Sequence, residues 1–453
     1  MEILEKINQY LWGIPVLILI MAVGLILSFR TGFVQIRLFP NAFRALIESF
    51  KARKCGKDCV SDYRALCTAL AATVGTGNIA GVAGAIALGG PGVIFWMWIC
   101  ALLGMIIKLS EVVLAVKYRQ KNREGEYIGG PMYMIVNGLP KKLGFLAVAY
   151  SFFGIVASLG VGNATQVNAV TDGIVTIGTM VGFNFGNNEK VLIGMIIAVI
   201  ILVGFFHGFR FISNWTEKLI PVAASGYILL SLMVIILKFP AVPDAFDAIL
   251  RGAIHPKSIT CGTICSAFMT LRIGITRGVF TNEAGMGTAS IAHSATSQEC
   301  PVNQGLLGIM EVFLDTVVIC TLTALVILCS GIQIPYGTDP GISLTLSAFT
   351  SVCGKWSSIL LTLLICLFAF ATILGWGVYG ARCAQFLFGV KAWRYFAILQ
   401  ASAAIIGTIL ETSVVWIFAD IVNGLMALPN LIALFILMPQ FIYEINKKQS
   451  VKV

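Results

Sequence analysis

Apolar stretches alternate with short polar or basic loops along the whole chain. A helix needs about 20 apolar residues to cross the hydrocarbon core, and roughly eleven runs of that length are present. They lie near 12–29, 64–88, 91–117, 144–170, 189–208, 217–238, 262–291, 304–331, 357–387, 393–410 and 413–442. The pattern predicts an all-α polytopic membrane protein. Residues 32–50 mix aromatics with charge and read as an interfacial amphipathic segment. With the first run set aside, ten remain as five plus five. An odd number per half inverts the second half relative to the first. This predicts an N-terminal helix and interfacial segment (1–61), two inverted five-helix repeats (62–240 and 241–445) and a tail (446–453).

The second run is interrupted near its centre, where Gly75, Thr76, Gly77 and Asn78 stand in an otherwise apolar stretch. Lipid supplies no hydrogen-bond partners at that depth, so a broken helix must line a cavity or pack inside protein. The seventh run carries a second glycine-rich stretch, Gly274-Ile-Thr-Arg-Gly-Val-Phe-Thr-Asn-Glu-Ala-Gly-Met-Gly287. Two such interruptions in corresponding places of the halves point to a transporter's midplane binding site. A half-helix N-terminus offers N–H donors to a carboxylate, and facing carbonyls suit a cation or ammonium. The Asn78 amide serves either group. Gly77-x-x-x-Gly81 is also a small-residue packing motif, and packing is the reading taken for Gly81 and Gly84. Packing does not require an asparagine, so Gly75, Thr76, Gly77 and Asn78 are assigned to the site. A dinucleotide-binding loop is excluded by the spacing and by the lack of a preceding strand.

Composition agrees: of 453 residues, 58% are hydrophobic and 11% charged, and the mean hydropathy is +0.91. The net charge of +10 does not indicate nucleic acid, because the basic residues sit in particular loops between spans. Arg30, Arg37, Arg44, Lys51, Arg53, Lys54 and Lys57 follow the first span, Arg119, Lys121, Arg123, Lys141 and Lys142 follow the third, and Lys447, Lys448 and Lys452 end the chain. The positive-inside rule then puts the N-terminus outside and the C-terminus in the cytoplasm. The 239–261 loop, expected outside, dissents with Arg251 and Lys257. No basic n-region opens the chain, so no secretory signal is expected. The cysteine pairs Cys55/Cys59 and Cys261/Cys265 lack the further ligands that a zinc site needs, with His207, His255 and His293 scattered. A disulfide is not expected in a cytoplasmic loop. No metal other than Na⁺ is expected.

Intramembrane charges are functional candidates by default. Arg277 and Glu283 either neutralise each other or pair with Asp315 to fix the second break; Arg277 otherwise touches substrate, and Glu283 is read as structural or gating, since carboxylates near helix ends cap freed N–H groups. Glu311 and Asp315 are four apart, hence on one face of a regular helix, and Asp315 suits Na⁺ or a proton. Lys108 and Glu111 read as an internal ion pair. Asn163 and Gln166 make the fourth span polar on one side. Thr372 and Trp376 are four apart in the ninth, where a hydroxyl beside released carbonyls suits Na⁺ and an indole can wall off a small side chain. Thr281, in the second break, is a further oxygen donor for a cation. Asp420, Asn423 and Pro429-Asn430 mark the last span as bent.

Several blocks resemble the alanine or glycine:cation symporter family. They are Ala-Thr-Val-Gly-Thr-Gly-Asn-Ile-Ala-Gly-Val-Ala83, Gly-Gly-Pro-Gly-Val-Ile-Phe-Trp-Met-Trp98, Gly129-Gly-Pro-Met-Tyr133, Arg-Gly-Val-Phe-Thr-Asn-Glu-Ala-Gly285, Phe313-Leu-Asp-Thr316, Leu-Gly-Trp376 and Asn423-Gly-Leu-Met-Ala-x-Pro-Asn430. The resemblance runs from the first span to the last. It implies a LeuT-type five-plus-five inverted repeat preceded by one extra helix, and Na⁺- or H⁺-coupled uptake of small neutral amino acids. It further implies a substrate pocket from the Gly75–Asn78 break, Gln166, Thr372 and Trp376, and a Na⁺ site between Thr73 and Thr372. Family members often carry an aromatic just before the glycine of the second broken helix, where this chain has Ile273. A smaller wall there would enlarge the pocket.

The sequence thus reads as a secondary active symporter of the alanine and glycine class, working as a monomer by alternating access in a prokaryotic cell membrane. Substrate is expected at Gly75, Thr76, Gly77, Asn78, Gln166, Ile273, Thr372 and Trp376. The cation is expected at Thr73, Asn78, Thr281, Asp315 and Thr372. Na⁺ is the co-transported ion, and no cofactor is expected. A larger substrate such as glutamine and a cation channel are the alternatives, although a channel would normally show a symmetric filter or charged rings. No G-x-x-x-x-G-K-[ST] loop supports ATP-driven transport, and no Ser/His, Cys/His or H-E-x-x-H arrangement supports an enzyme.

Overall fold

The computed structural model describes residues 2–12, 15–51, 60–122, 125–180, 182–183, 185–254, 267–409 and 412–450. Cys55, Cys59, Cys261 and Cys265 lie outside these. The regular secondary structure of the described residues is helical apart from a short antiparallel ladder, Gln120–Lys121 with Tyr127–Ile128, and a single bridge between Val60 and Thr296. Among them, seven helices are long and apolar enough to cross a membrane, or eight if the bent pair Asp62–Thr73 and Gly77–Gly89 is one span. The remaining expected runs are carried by shorter helices: Pro15–Arg30, Ala267–Asn282 and Ala392–Gly407, each of 16 residues.

Val93–Lys117 is the central helix, with 89% of its apolar window buried. It packs against Pro301–Val312 and Ala267–Asn282. Small residues allow that approach. A Cβ on Gly274 would lie 2.6 Å from both Trp96 Cβ and Val93 O, and one on Gly278 would lie 2.9 Å from Cys100 Cβ. Both glycines therefore belong to a helix contact, and the helix runs through them unbroken to Asn282. The second interruption is narrower than the glycine spacing suggests: it covers Glu283–Gly287, ahead of a short helix Thr288–His293.

The first interruption falls where the sequence places it, with the two halves bent by 50°. Among the described residues, three stretches adopt the wider π-helical winding: Gly77–Gly81, Gly160–Ala164 and Phe313–Cys320. Such turns are rare and concentrate at functional sites. The amphipathic segment is a helix, Phe39–Lys51, burying Ala42, Leu46 and Ser49 while exposing Phe43, Ile47 and Phe50. Among the described residues, four short α-helices have no counterpart in the apolar pattern, because each is under a span in length: Glu2–Leu11, Pro131–Gly138, Val242–Ile254 and Ile342–Cys353.

Since Gly274 touches backbone as well as side chain, Gly274→Leu should overpack the central helix. The expected loss is about 1–3 kcal/mol, read as a lowered melting temperature of the purified protein in detergent.

Candidate functional site

Bending a helix at Gly75 frees backbone groups that must find partners inside the protein. Asn78 takes most of that load. Its Oδ1 accepts from Gly75 N at 2.9 Å, and its Nδ2 donates to Asp315 Oδ1 at 2.6 Å. The Asn78 carbonyl accepts from Thr323 Oγ1 at 2.9 Å, and the Ile79 carbonyl accepts from Thr345 Oγ1 at 3.3 Å. Thr323 is itself in contact with Tyr227 OH at 2.6 Å. The Asn78 amide, expected to face substrate or cation, is therefore engaged in holding the break.

From Asp315 the network continues to the second interruption. Thr316 Oγ1 donates to Asp315 Oδ2 at 2.8 Å, Asn282 Nδ2 donates to Thr316 Oγ1 at 3.2 Å, and Thr281 and Thr316 hydroxyls lie 3.3 Å apart. These four side chains and Asn78 are all buried. The result is an oxygen-rich cluster with one carboxylate, between the two breaks.

A second cluster faces the bend itself. Thr76 Oγ1 donates to Gln166 Oε1 at 3.1 Å, while Gln166 Nε2 reaches the Val161 carbonyl at 3.2 Å. A Cβ on Gly75 would lie 2.8 Å from Thr372 Oγ1 and 3.7 Å from Gln166 Oε1, so glycine is needed for this approach. Thr372 Oγ1 donates to Phe368 O at 3.0 Å and Thr73 Oγ1 to Ala69 O at 3.3 Å, which leaves hydroxyl lone pairs for a cation.

A cavity of about 930 Å³ leads to this point. Thr76, Ala80 and Thr165 line its inner part, and Asn168, Asp172, Thr176 and Asp339 are among its other walls. These wall residues were missed in the sequence, although Thr165, Asn168, Asp172 and Thr176 recur at helical spacing and form a readable polar stripe. The opposite face of the protein is clamped. Arg119 donates to the Thr296 and Gln298 carbonyls at 2.7 Å each, and Val60 bridges Thr296. Glu126 pairs with Arg382 at 3.2 Å, and Arg64 pairs with Glu217 at 2.7 Å.

Gly75, Thr76, Gln166 and Thr372 thus come together, and Asn78, Thr281 and Asp315 gather at the second cluster. Gly77 sits beside Phe280 and Thr281. Trp376 lies one turn beyond Thr372 and is buried against Gly162, outside the cavity lining. Ile273 is not brought to the bend: it packs at Gly89, whose Cβ would lie 3.2 Å from Ile273 Cδ1. Gly89 is about 18 Å along the helix from Gly77 at 1.5 Å per residue.

The ion pairs also differ from expectation. Lys108 pairs with Glu311 at 3.3 Å, both fully buried. Glu111 is freed to accept at Oε1 from Gly285 N (2.9 Å), Gly287 N (3.0 Å) and Asn430 Nδ2 (2.7 Å). Arg277 pairs with Asp339 at 3.9 Å, at the cavity wall. Glu311 and Asp315 serve separate sites, because the wider winding that starts at Phe313 breaks the four-residue register.

Residues 1–452 match the Sodium:alanine symporter family. Among curated relatives, the sodium/alanine symporter AgcS of Methanococcus maripaludis is 38% identical, over 96% of this chain and 94% of that one. The probable sodium/glutamine symporter GlnT of Bacillus subtilis is 36% identical, over 96% and 89%. Among solved structures, MhsT in complex with L-phenylalanine superposes with a TM-score of 0.62 at 14% identity, covering 86% of this chain and 98% of that one. That likeness concerns fold alone, and it is a LeuT-type fold.

Removing the Asn78 amide would orphan the Gly75 N–H and strip Asp315 of a donor. Asn78→Ala should therefore cost about 1–3 kcal/mol for each buried group left unpaired, read as a melting temperature well below wild type.

Proposed function

Because the chain belongs to the sodium:alanine symporter family, a family of multi-pass membrane transporters and not enzymes, we propose that it imports a small neutral amino acid together with Na⁺ by alternating access. The observation that carries this reading is the convergence of Gly75, Thr76, Gln166 and Thr372 beside a cavity that reaches the bend from one side. The bend offers backbone groups and hydroxyls to a zwitterion, and a one-sided cavity is the shape that alternating access requires.

Two places suit the coupling ion. Thr73 and Thr372 offer hydroxyl oxygens near the first bend. Asp315, Thr281 and Thr316 offer a carboxylate and two hydroxyls between the bends. Na⁺ prefers such hard oxygen donors, and inward movement of one positive charge is worth about 2.3 kcal/mol per 100 mV. Residues 62–240 and 241–445 serve as the two inverted repeats after an N-terminal helix, in a single working chain of a prokaryotic cell membrane. The N-terminus faces outside and the 446–453 tail faces the cytoplasm. Glutamine is the second candidate substrate, favoured by a glutamine-named relative almost as similar as the alanine-named one.

Uptake of a panel of amino acids into proteoliposomes, with Na⁺ and pH gradients imposed separately, tests this directly. Impermeant labelling of cysteines placed near 180 and 447 reads the orientation. Substrate should bind more tightly in Na⁺ than in choline, and linkage requires substrate to raise Na⁺ affinity by the same factor. Thr372→Val should abolish that dependence at nearly constant volume. An affinity indifferent to Na⁺ but sensitive to pH would replace Na⁺ by H⁺ as the coupling ion. Gln166→Ala removes a buried partner of Thr76 at the bend and should weaken substrate binding roughly 10- to 150-fold, the equivalent of one lost charge-assisted hydrogen bond. Calorimetry on the folded variant measures it, and an unchanged affinity would remove Gln166 from the pocket.

A further inference from the structure

The clamped face of the protein holds a cavity that the transport reading leaves unused. It measures about 400 Å³ and lies between the amphipathic helix Phe39–Lys51, the start of Asp62–Thr73, the first turns of Pro301–Val312 and the end of Thr412–Ser450. That volume is in the range of small-molecule pockets. Its walls carry charge of both signs, Arg44 and Lys448 against Glu48 and Asp62, and Leu306 and Leu307 add an apolar patch.

Two of these charges have partners within the chain. Asp62 Oδ2 accepts from Gln298 Nε2 at 3.0 Å, and Lys448 Nζ donates to Asn303 Oδ1. Arg44 and Glu48 are exposed, and neither forms a hydrogen bond or ion pair among the described residues. They stand four apart with the base first, which is the weaker order for a helical ion pair. Where the acid comes first, in Asp247 and Arg251, the pair closes at 2.7 Å. Arg44 and Glu48 thus each bring an unmatched charge to the cavity wall. A ligand with an anionic and a cationic group close together satisfies both. The Arg44 fork suits a carboxylate in bidentate fashion, and Glu48 with Asp62 suits an ammonium. A lipid headgroup carries similar charges, but the helix points away from that source. Its exposed apolar residues are Phe43, Ile47 and Phe50, and the cavity-lining Arg44 and Glu48 lie about half a turn round the helix from them.

We propose that this cavity binds a free α-amino acid as its zwitterion, and that the bound molecule holds the clamped face shut. Asp62 opens the first broken helix, Gln298 follows the half-helix Thr288–His293, and the bond between them crosses this face. Both residues line the cavity together with the amphipathic helix. A ligand bridging Arg44, Glu48 and Asp62 ties that helix to the strap, in contacts that exist only while the strap is closed. Such a ligand binds the closed arrangement more tightly and shifts the population towards it. On the orientation proposed above this face is cytoplasmic, so an accumulated amino acid slows import. That regulatory step rests on the symport reading and its orientation, whereas the site itself does not.

Equilibrium dialysis of the purified protein in choline, against a panel of the common amino acids in labelled form, tests the site. Choline leaves a Na⁺-dependent central site weak, so the binding that remains should come from this cavity. Arg44→Ala and Glu48→Gln should each weaken it roughly 10- to 150-fold, the equivalent of one lost charge-assisted hydrogen bond. Melting temperature and Na⁺-driven uptake should stay at wild-type values in both variants. No amino acid bound in choline, or binding unchanged in both variants, overturns the proposal. Displacement of the amino acid by glycerophosphoethanolamine at lower concentration also overturns it, since the site then belongs to a lipid headgroup. The hold on the face is read in proteoliposomes loaded inside with the amino acid that binds. Initial uptake should fall in the wild type and fall less in Arg44→Ala, and an equal fall in both refutes the regulatory step. Failure of the symport reading would appear as no Na⁺-driven uptake by the wild type, with the variants' effect on dialysis still readable.

Discussion

A helix cannot be interrupted inside a membrane unless every freed backbone group is given a partner, and here one side chain meets most of that demand. Asn78 receives the Gly75 N–H on its own amide oxygen, ties its amide nitrogen to Asp315, and passes its carbonyl to Thr323. Asp315 then leads through Thr316 to Thr281 and Asn282, directly ahead of the second break. The two interruptions are joined by one hydrogen-bonded path. A cation that enlists Asp315 must redistribute those bonds, and so acts on both helices at once.

The second interruption is held by a different means. Its first-break counterpart uses neutral amide and hydroxyl groups, whereas Glu283–Gly287 is gripped by a carboxylate from the central helix. Glu111 binds two of its N–H groups, and Asn430 bridges Glu111 to the Gly285 carbonyl at 2.9 Å. This explains the proline-asparagine pair in the last span: Asn430 reaches from that helix to the break. It also explains why Lys108 turns to Glu311, since Glu111 is already committed.

Much of the fold was readable because membrane spans leave a strong one-dimensional signal. The break at Gly75–Asn78 was legible for the same reason, a polar island in an apolar run. Partner choice was less legible. Lys108 and Glu111 are three apart on one helix, yet the ion pair forms across helices with Glu311, because burial rewards the partner that leaves Glu111 free to cap a backbone. Glu311 and Asp315 are spaced for one face, but a π-helical turn from Phe313 redirects the second, and no residue pattern announces such a turn. Ile273 was placed by the glycine that follows it. That glycine packs on Val93 and Trp96, and the helix stays whole for two more turns. The cavity wall at Asp339 lies in a loop, where hydropathy carries little information, whereas Asp172 belongs to the polar stripe of the helix Thr165–Met180.

The closed face shows how the breaks and the clamp belong together. Val60 precedes the first broken helix and Thr296 follows the second, and the two bridge one another. Gln298 adds a bond to Asp62 at 3.0 Å, and Arg119 gathers the carbonyls of the same strand-like segment. The half-helices Asp62–Thr73 and Thr288–His293 are therefore strapped to each other at their outer ends, while the Asp315 path joins the other halves, Gly77–Gly89 and Ala267–Asn282. Neither can swing away from the scaffold alone. On the alternating-access reading proposed above, opening this face would move both half-helices as one body, with the bends at Gly75 and Glu283 as the points where the backbone would yield. The side chains that grip those two bends, Asn78 at one and Glu111 at the other, would then limit how far such a body could travel before a hydrogen bond broke.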